Sequence, residues 1–227
     1  IGGISLIRAG AKNYNDVLVV SCREQYQGLL SLLKTGKGVT TLEERKSYAA
    51  TAFRVSSGYD TAIFKYLNGG NETGFFRESI DGSYPLRYGE NPHQKGIYYG
   101  DPGLIFEKLH GKEISYNNFL DIDAAISLID EFDDITFAIF KHNNACGVAS
   151  RKNQADAWRD ALASDPVSAF GGVIATNTIV DGTSASEIDK LFFEIIIAPG
   201  FTDDALKTLM QKKNRIILRR NKTQSLK

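Results

Sequence analysis

The chain has 227 residues, and its 27 basic and 27 acidic side chains give a formal net charge of zero at pH 7. Hydrophobic residues make up 42% and charged residues 24% of it, which is typical of a globular protein and excludes a disordered chain. It contains no apolar run long enough to span a membrane, and a neutral chain has no overall attraction to nucleic acid or a membrane surface. Two widely spaced cysteines, Cys22 and Cys146, form no disulfide framework and favour a reducing, cytoplasmic setting.

The first 70 residues predict mainly helices. A helix that begins at Gly2-Gly3 places Arg8 and Lys12 on one face, where they could hold a phosphate; a tight turn with two solvated cations is the alternative. The apolar run 17–20 predicts a buried strand. Helical spacing then predicts one helix over 24–33 and a longer one from the capping box at Thr41 to about residue 68.

Residues 69–83 are rich in glycine and polar residues, which predicts an exposed connection and a domain boundary. Beyond it, short strands alternate with helices, so we expect a layered α/β domain. The predicted strands are 96–99, 103–109, 135–141, 171–175, 195–198 and 215–219, and the predicted helices are 118–131, 152–163, 184–193 and 202–212.

Residues 86–94 concentrate polar chemistry in one short loop. The arginine at its start, Arg87, suits bidentate phosphate binding, and Tyr88 beside it offers a ring face and a hydroxyl. An ordinary polar loop is the alternative interpretation.

A second polar cluster follows the apolar strand 135–141. The strand ends in Lys141 and His142, and histidine is the usual general base near neutral pH. Ligands of α/β proteins bind beyond the carboxyl ends of strands, so this end is a candidate site. A zinc deaminase would need His-x-Glu and Cys-x-x-Cys, but Asn144 stands in place of the glutamate and Cys146 has no partner at that spacing. We therefore expect no catalytic metal.

Three further segments have both a functional and an ordinary interpretation. Glycines in 164–172 would allow close approach of the backbone to a ligand, or simply form a turn. Glu194, before an apolar run, could accept hydrogen bonds from a ribose, or be a solvated helix end. The basic segment 207–222 lacks interleaved aromatic residues, which favours a solvated face over a nucleic-acid site.

Taken together, these segments resemble one family: the bifunctional purine-biosynthesis enzymes with 5-aminoimidazole-4-carboxamide ribonucleotide (AICAR) formyltransferase and inosine monophosphate (IMP) cyclohydrolase activities. Five segments carry the resemblance and occur in the family's order. They are IGGISLIRAGAKN (1–13), LRYGENPHQ (86–94), FKHNNACG (140–147), DPVSAFGG (165–172) and IIAPG (196–200).

The resemblance implies a role for individual residues. His142 matches the transformylase histidine, a base near the AICAR amine, and Lys141 the lysine that stabilises the oxyanion or the leaving nitrogen. Asn118 matches an asparagine that orients the reacting groups. The matched AICAR-binding positions are Arg87, Tyr88, Gly171 and Glu194. Lys12 matches the active-site lysine of the cyclohydrolase, and Ile1 lies at the edge of the IMP site.

The resemblance also implies the architecture. Residues 1–78 correspond to the C-terminal portion of a methylglyoxal-synthase-like cyclohydrolase domain plus a linker, and 79–227 to the first cytidine-deaminase-like half of the transformylase domain. We therefore expect an internal segment of a longer protein, a cytoplasmic homodimer with sites shared between subunits. Its co-substrate would be 10-formyltetrahydrofolate, and its nucleotides AICAR, its formylated product FAICAR, and IMP, with no nucleic-acid or membrane partner.

Two alternatives remain open at this point. The chain could be a nucleotide-binding or dimerisation fragment that does not catalyse the reaction on its own. It could instead be a relative of the zinc deaminases, against the missing ligands. Titration with AICAR and metal analysis distinguish these two hypotheses from the enzyme.

Overall fold

The computed structural model describes residues 3–69 and 74–221. The chain divides into two compact units, Ile1–Asp81 and Gly82–Lys227. The division lies three residues after the boundary expected from the sequence, which was placed between residues 78 and 79.

The described part of the first unit consists of three helices, α1 (Gly3–Lys12), α2 (Gln25–Thr35) and α3 (Leu42–Asn68). A capping box starts α3: the Thr41 hydroxyl accepts the Glu44 amide at 3.3 Å, and the Glu44 carboxylate accepts the Thr41 amide at 2.7 Å. These contacts satisfy amides that have no partner within the helix, so α3 begins where the sequence predicts. No helix among the described residues is long and apolar enough to cross a membrane.

The strand predicted over 17–20 does not form. A strand needs a partner for its backbone groups, and the described residues of this unit contain no strand. Val19 instead packs on a small cluster around Ala11 and Ala49, and its side chain lies against the backbone of Gly10.

The second unit begins with a two-stranded antiparallel hairpin, β1 (Ser83–Pro85) and β2 (Ile97–Tyr99). A six-stranded sheet in the order β3-β8-β7-β6-β4-β5 follows. Its strands are β3 (Phe106–His110), β4 (Thr136–Lys141), β5 (Asn144–Ser150), β6 (Val173–Thr176), β7 (Ile195–Ala198) and β8 (Ile216–Arg220).

The sheet is mixed. Strands β6, β7 and β8 are parallel to one another, whereas β4 runs antiparallel to both β5 and β6, and β3 antiparallel to β8. The carboxyl end of β4 therefore lies at the same edge of the sheet as the amino ends of β6, β7 and β8.

Helices cover both faces of the sheet. One face packs on α4 (Tyr116–Ile129) through alternate strand residues such as Ala138, Val173 and Ile195. The other face packs on α5 (Gln154–Ser164), α7 (Gly182–Ile188) and α8 (Asp203–Leu209), with the short α6 (Pro166–Ala169) before β6. Burial of β6 and β7 on both faces explains their continuous apolar runs.

The structure adds one strand and shortens two helices relative to the prediction. β5 occupies residues that the sequence analysis left as a loop after His142. Asp181 caps α7, which begins earlier than predicted and ends at Ile188 instead of residue 193, and α8 ends at Leu209 instead of residue 212.

Candidate functional site in the second unit

A tight hairpin turn presents Lys141 and His142 at the edge of the sheet. Lys141 pairs with Asn144 across β4 and β5, so His142 and Asn143 form a two-residue turn. Both have positive φ angles, 53° and 63°, which is the backbone of a type I′ turn. His142 is exposed in this turn, and the Lys141 ammonium donates to the Phe170 carbonyl at 2.8 Å.

The first turn of α4 brings Asn118 to the same edge. Ser115 caps the helix: its hydroxyl accepts the Asn118 amide at 3.4 Å, and the Asn118 side-chain oxygen accepts the Ser115 amide at 3.2 Å. This reciprocal capping fixes the buried Asn118 side chain and leaves its NH₂ group to donate to the Glu194 carboxylate at 3.4 Å. Asn118 therefore connects the helix to β7.

Glu194 immediately precedes β7 and is held on both sides by the sheet. Its amide donates to the Gly172 carbonyl at 2.9 Å, and its carbonyl accepts the Ile216 amide at 2.9 Å. The carboxylate forms an ion pair with Lys112 at 3.1 Å. Glu194 therefore lies in an ordered polar network, and the solvated helix end considered from the sequence is wrong.

Gly171 lies just before β6 and next to the Phe170 carbonyl that receives Lys141. Its φ angle is 75°, a conformation that a side chain rarely adopts, and its amide donates to the Phe192 carbonyl at 2.7 Å. The glycine thus allows a sharp bend at the start of β6, beside the lysine.

The loop that carries Arg87 and Tyr88 is anchored at the amino end of α4. The Arg87 amide donates to the Ile114 carbonyl at 3.0 Å, and the Tyr116 amide donates to the Tyr88 carbonyl at 3.1 Å. The Arg87 guanidinium lies over the Tyr88 ring, 4.5 Å from its centroid, and donates to its hydroxyl at 2.7 Å. The exposed guanidinium is thus held by its neighbour beside a helix N-terminus, an arrangement suited to an anionic group.

Asp121, which the sequence analysis missed, connects α4 to the hairpin turn. Its carboxylate accepts the Asn143 amide at 2.6 Å. Burial raises the pKa of Asp121, the bond from Asn143 and the charge of His142 lower it, and the charge of Glu194 raises it. The available signal was its spacing: Asp121 follows Asn118 by three residues and therefore shares its helix face.

The remaining predicted residues belong to the first unit. Lys12 is the last residue of α1, and its side chain is exposed. On the same helix, the Arg8 guanidinium donates to the buried Ser56 hydroxyl at 3.1 Å and lies over the Phe53 ring. Ile1 and Gly2 lie outside the described residues.

A cavity of about 530 Å³ adjoins the Glu194 side of this site. Lys112, Phe192 and the buried Arg215 contribute to its walls. Within residues 3–69 and 74–221, no group of three histidine, cysteine or acidic side chains is placed to hold a metal ion.

Comparison with known proteins gives a single family. The model of a family described as the AICARFT/IMPCHase bienzyme matches residues 10–227. A bifunctional purine biosynthesis protein PurH from Bacteroides thetaiotaomicron is 60% identical over 218 residues, which are 96% of this chain and 43% of that protein. The PurH proteins of Acetivibrio thermocellus and Chloroflexus aurantiacus are each 46% identical, over 94% and 96% of this chain and 43% of their own lengths. The chain thus spans less than half the length of these relatives.

Proposed function

Because this chain belongs to the AICARFT/IMPCHase bienzyme family, we propose that it contributes to the last two steps of de novo purine biosynthesis. The first step transfers a formyl group from 10-formyltetrahydrofolate to the 5-amino group of AICAR and gives FAICAR. The second step closes FAICAR to IMP with loss of water. The observation that carries the proposal is the convergence of Lys141, His142, Asn118 and Glu194 at one edge of the sheet.

The chemistry of formyl transfer requires a base at a weak nucleophile. The amino nitrogen of AICAR bonds to the formyl carbon, the bond from that carbon to N10 of the folate breaks, and N10 takes up a proton. In this proposal His142 receives the proton that the amine loses. Lys141, on the adjacent strand residue, stabilises the oxyanion on the formyl carbon or the leaving N10.

The surrounding residues are suited to bind the nucleotide. Arg87 and Tyr88 would hold the phosphate, since the guanidinium is exposed beside the amino end of α4. Glu194 would accept a hydrogen bond from a ribose hydroxyl while it keeps its contact with Asn118. Gly171 would let the nucleotide approach the backbone at the start of β6.

The first unit would supply part of the cyclohydrolase. We assign residues 1–78 to the C-terminal portion of a methylglyoxal-synthase-like domain, in which Lys12 would assist the loss of water and Ile1 would border the IMP site. Residues 79–227 would form the first cytidine-deaminase-like half of the transformylase domain, and the mixed sheet with helices on both faces supports a layered domain of this kind. A cytoplasmic homodimer with shared sites, using no catalytic metal, completes the proposal.

Replacement of His142 by asparagine tests the proposed base. Asparagine tolerates the positive φ angle at this position, so His142→Asn removes the imidazole without straining the turn. We expect kcat for formyl transfer, measured with AICAR and 10-formyltetrahydrofolate, to fall by about 100-fold or more. His110→Asn is the control, because His110 is a partly buried residue of β3, a strand at the opposite edge of the sheet from β5.

Three outcomes separate the hypotheses. Unchanged turnover in His142→Asn would remove the assigned base. AICAR binding without formyl transfer by the unaltered chain would favour a nucleotide-binding or dimerisation role. Stoichiometric zinc in the purified protein would instead support a deaminase relative.

A further inference from the structure

The turn that carries His142 is held from outside the hairpin. Two successive non-glycine residues adopt left-handed backbone angles, although the most favoured turns of this type place asparagine, aspartate or glycine there. Within the hairpin, the Asn144 side chain donates to the His142 carbonyl at 2.8 Å. The Asn143 amide donates to Asp121, 22 residues earlier in the chain. A carboxylate on α4 therefore fixes the turn relative to the helix that also carries Asn118.

Asp121 occupies an unfavourable environment for a charged group. It is only partly exposed, and its neighbours are His142 from the hairpin and Glu194 from the start of β7, which pairs with Lys112. Burial is the largest influence on the pKa of Asp121 and raises it. A carboxyl whose pKa is higher in the folded state loses stability as the pH rises through that pKa, so the ionised group costs folding free energy near neutral pH.

We infer that Asp121 is a positioning residue for formyl transfer: its carboxylate holds the His142–Asn143 turn and places a negative charge beside the imidazole. The inference rests on the proposed function. When His142 takes the proton from the AICAR amine it becomes a cation, and the nearby carboxylate stabilises that cation. A group retained for stability alone would not be a half-buried carboxylate facing a second carboxylate, Glu194.

The variant Asp121→Asn tests this inference, because asparagine keeps an oxygen for the Asn143 amide and removes the charge. We expect kcat to fall roughly tenfold or more, with the KM for AICAR nearly unchanged. The urea midpoint of unfolding should stay equal or rise, since the cost of the buried charge is gone. Asp123→Asn is the matched control, an exposed aspartate on the same helix whose replacement should leave kcat unchanged.

A second measurement reports the contact directly. The amide resonance of Asn143 should shift with pH as Asp121 titrates in the unaltered chain, and this titration should disappear in Asp121→Asn. Asp121→Ala, which also removes the acceptor, should lower kcat further than Asp121→Asn does.

The outcomes distinguish this inference from the proposed function. Unchanged kcat in Asp121→Asn would overturn the inference, and so would a loss of kcat that merely parallels a lower unfolding midpoint. If the unaltered protein transfers no formyl group, the proposed function fails and the catalytic part of the inference fails with it. The Asn143 titration then decides the remaining part: its absence in the unaltered chain would overturn the holding of the turn.

Discussion

Replacement of Gly147 by alanine is expected to destabilise the second unit severely. Gly147 is buried in β5, directly against α5. A Cβ atom added there would lie 2.0 Å from the carbonyl oxygen of Ala161 and 2.9 Å from its carbonyl carbon. Ordinary van der Waals contact begins at 3.4 Å, so strand and helix would have to separate by more than an ångström.

The magnitude follows from what surrounds the contact. The obstructing atoms belong to helix backbone, which cannot move aside as a flexible side chain does. Any displacement of α5 also disturbs Trp158, whose ring packs edge-on against Phe137 with a 6.0 Å centroid separation. Overpacking of a core costs about 1–3 kcal/mol and occasionally more, and a backbone obstruction places this site at about 3 kcal/mol or above. For a unit of this size, that corresponds to a fall in melting temperature of roughly 6–12 °C.

The single tryptophan of the chain provides the assay, because Trp158 lies on α5 itself. Urea unfolding followed by its fluorescence should show a lower midpoint for Gly147→Ala. Gly200→Ala is the control: its added Cβ would meet atoms of Ile179 at 3.5–3.9 Å, which is ordinary contact. Equal midpoints for Gly147→Ala and the unaltered chain would refute the close approach of α5 to β5.

Two further predictions concern buried polar groups of the same unit. Asp189→Asn removes the carboxylate that pairs at 2.6 Å with the buried guanidinium of Arg215, and should cost about 3 kcal/mol in urea unfolding, whereas Asp130→Asn, at a more exposed pair, should cost at most about 1 kcal/mol; similar losses for both would contradict this assignment. Burial raises the pKa of the Cys146 thiol, so at a given pH less of the reactive thiolate is present than in the unfolded chain. Alkylation of Cys146, followed by mass spectrometry, should therefore be slow at pH 8, accelerate as the pH rises, and accelerate on addition of urea; equal rates with and without urea would contradict it.

The sequence predicted best those elements whose burial is visible in the residues themselves. β7 has the predicted bounds, 195–198, because three isoleucines form an apolar run that a proline ends. β5 was missed because Asn144–Ser150 contains small residues and a glycine, and its turn, His142-Asn143, lacks the glycine that usually indicates a hairpin. Pairing with β4 creates this strand, and no local pattern reports it.

The same distinction applies to the site. Lys141, His142 and Glu194 stand at the ends of apolar runs, so the sequence indicates them as candidates. Asp121 looks like any helix-surface aspartate, because its importance comes from an amide 22 residues away. Its contact depends on the antiparallel return of β5, the element that the sequence did not reveal.

The direction of β4 explains why the site residues come from both kinds of strand end. The sequence argument placed His142 at a strand's carboxyl end, where ligands bind in parallel sheets. Because β4 is antiparallel to β6, that edge contains the amino ends of the parallel strands, and Gly171 and Glu194 lie there just before β6 and β7. Residues that precede strands and a residue that follows one thus meet at a single edge. A histidine on a parallel strand would instead have pointed to the opposite edge, away from both Glu194 and the first turn of α4.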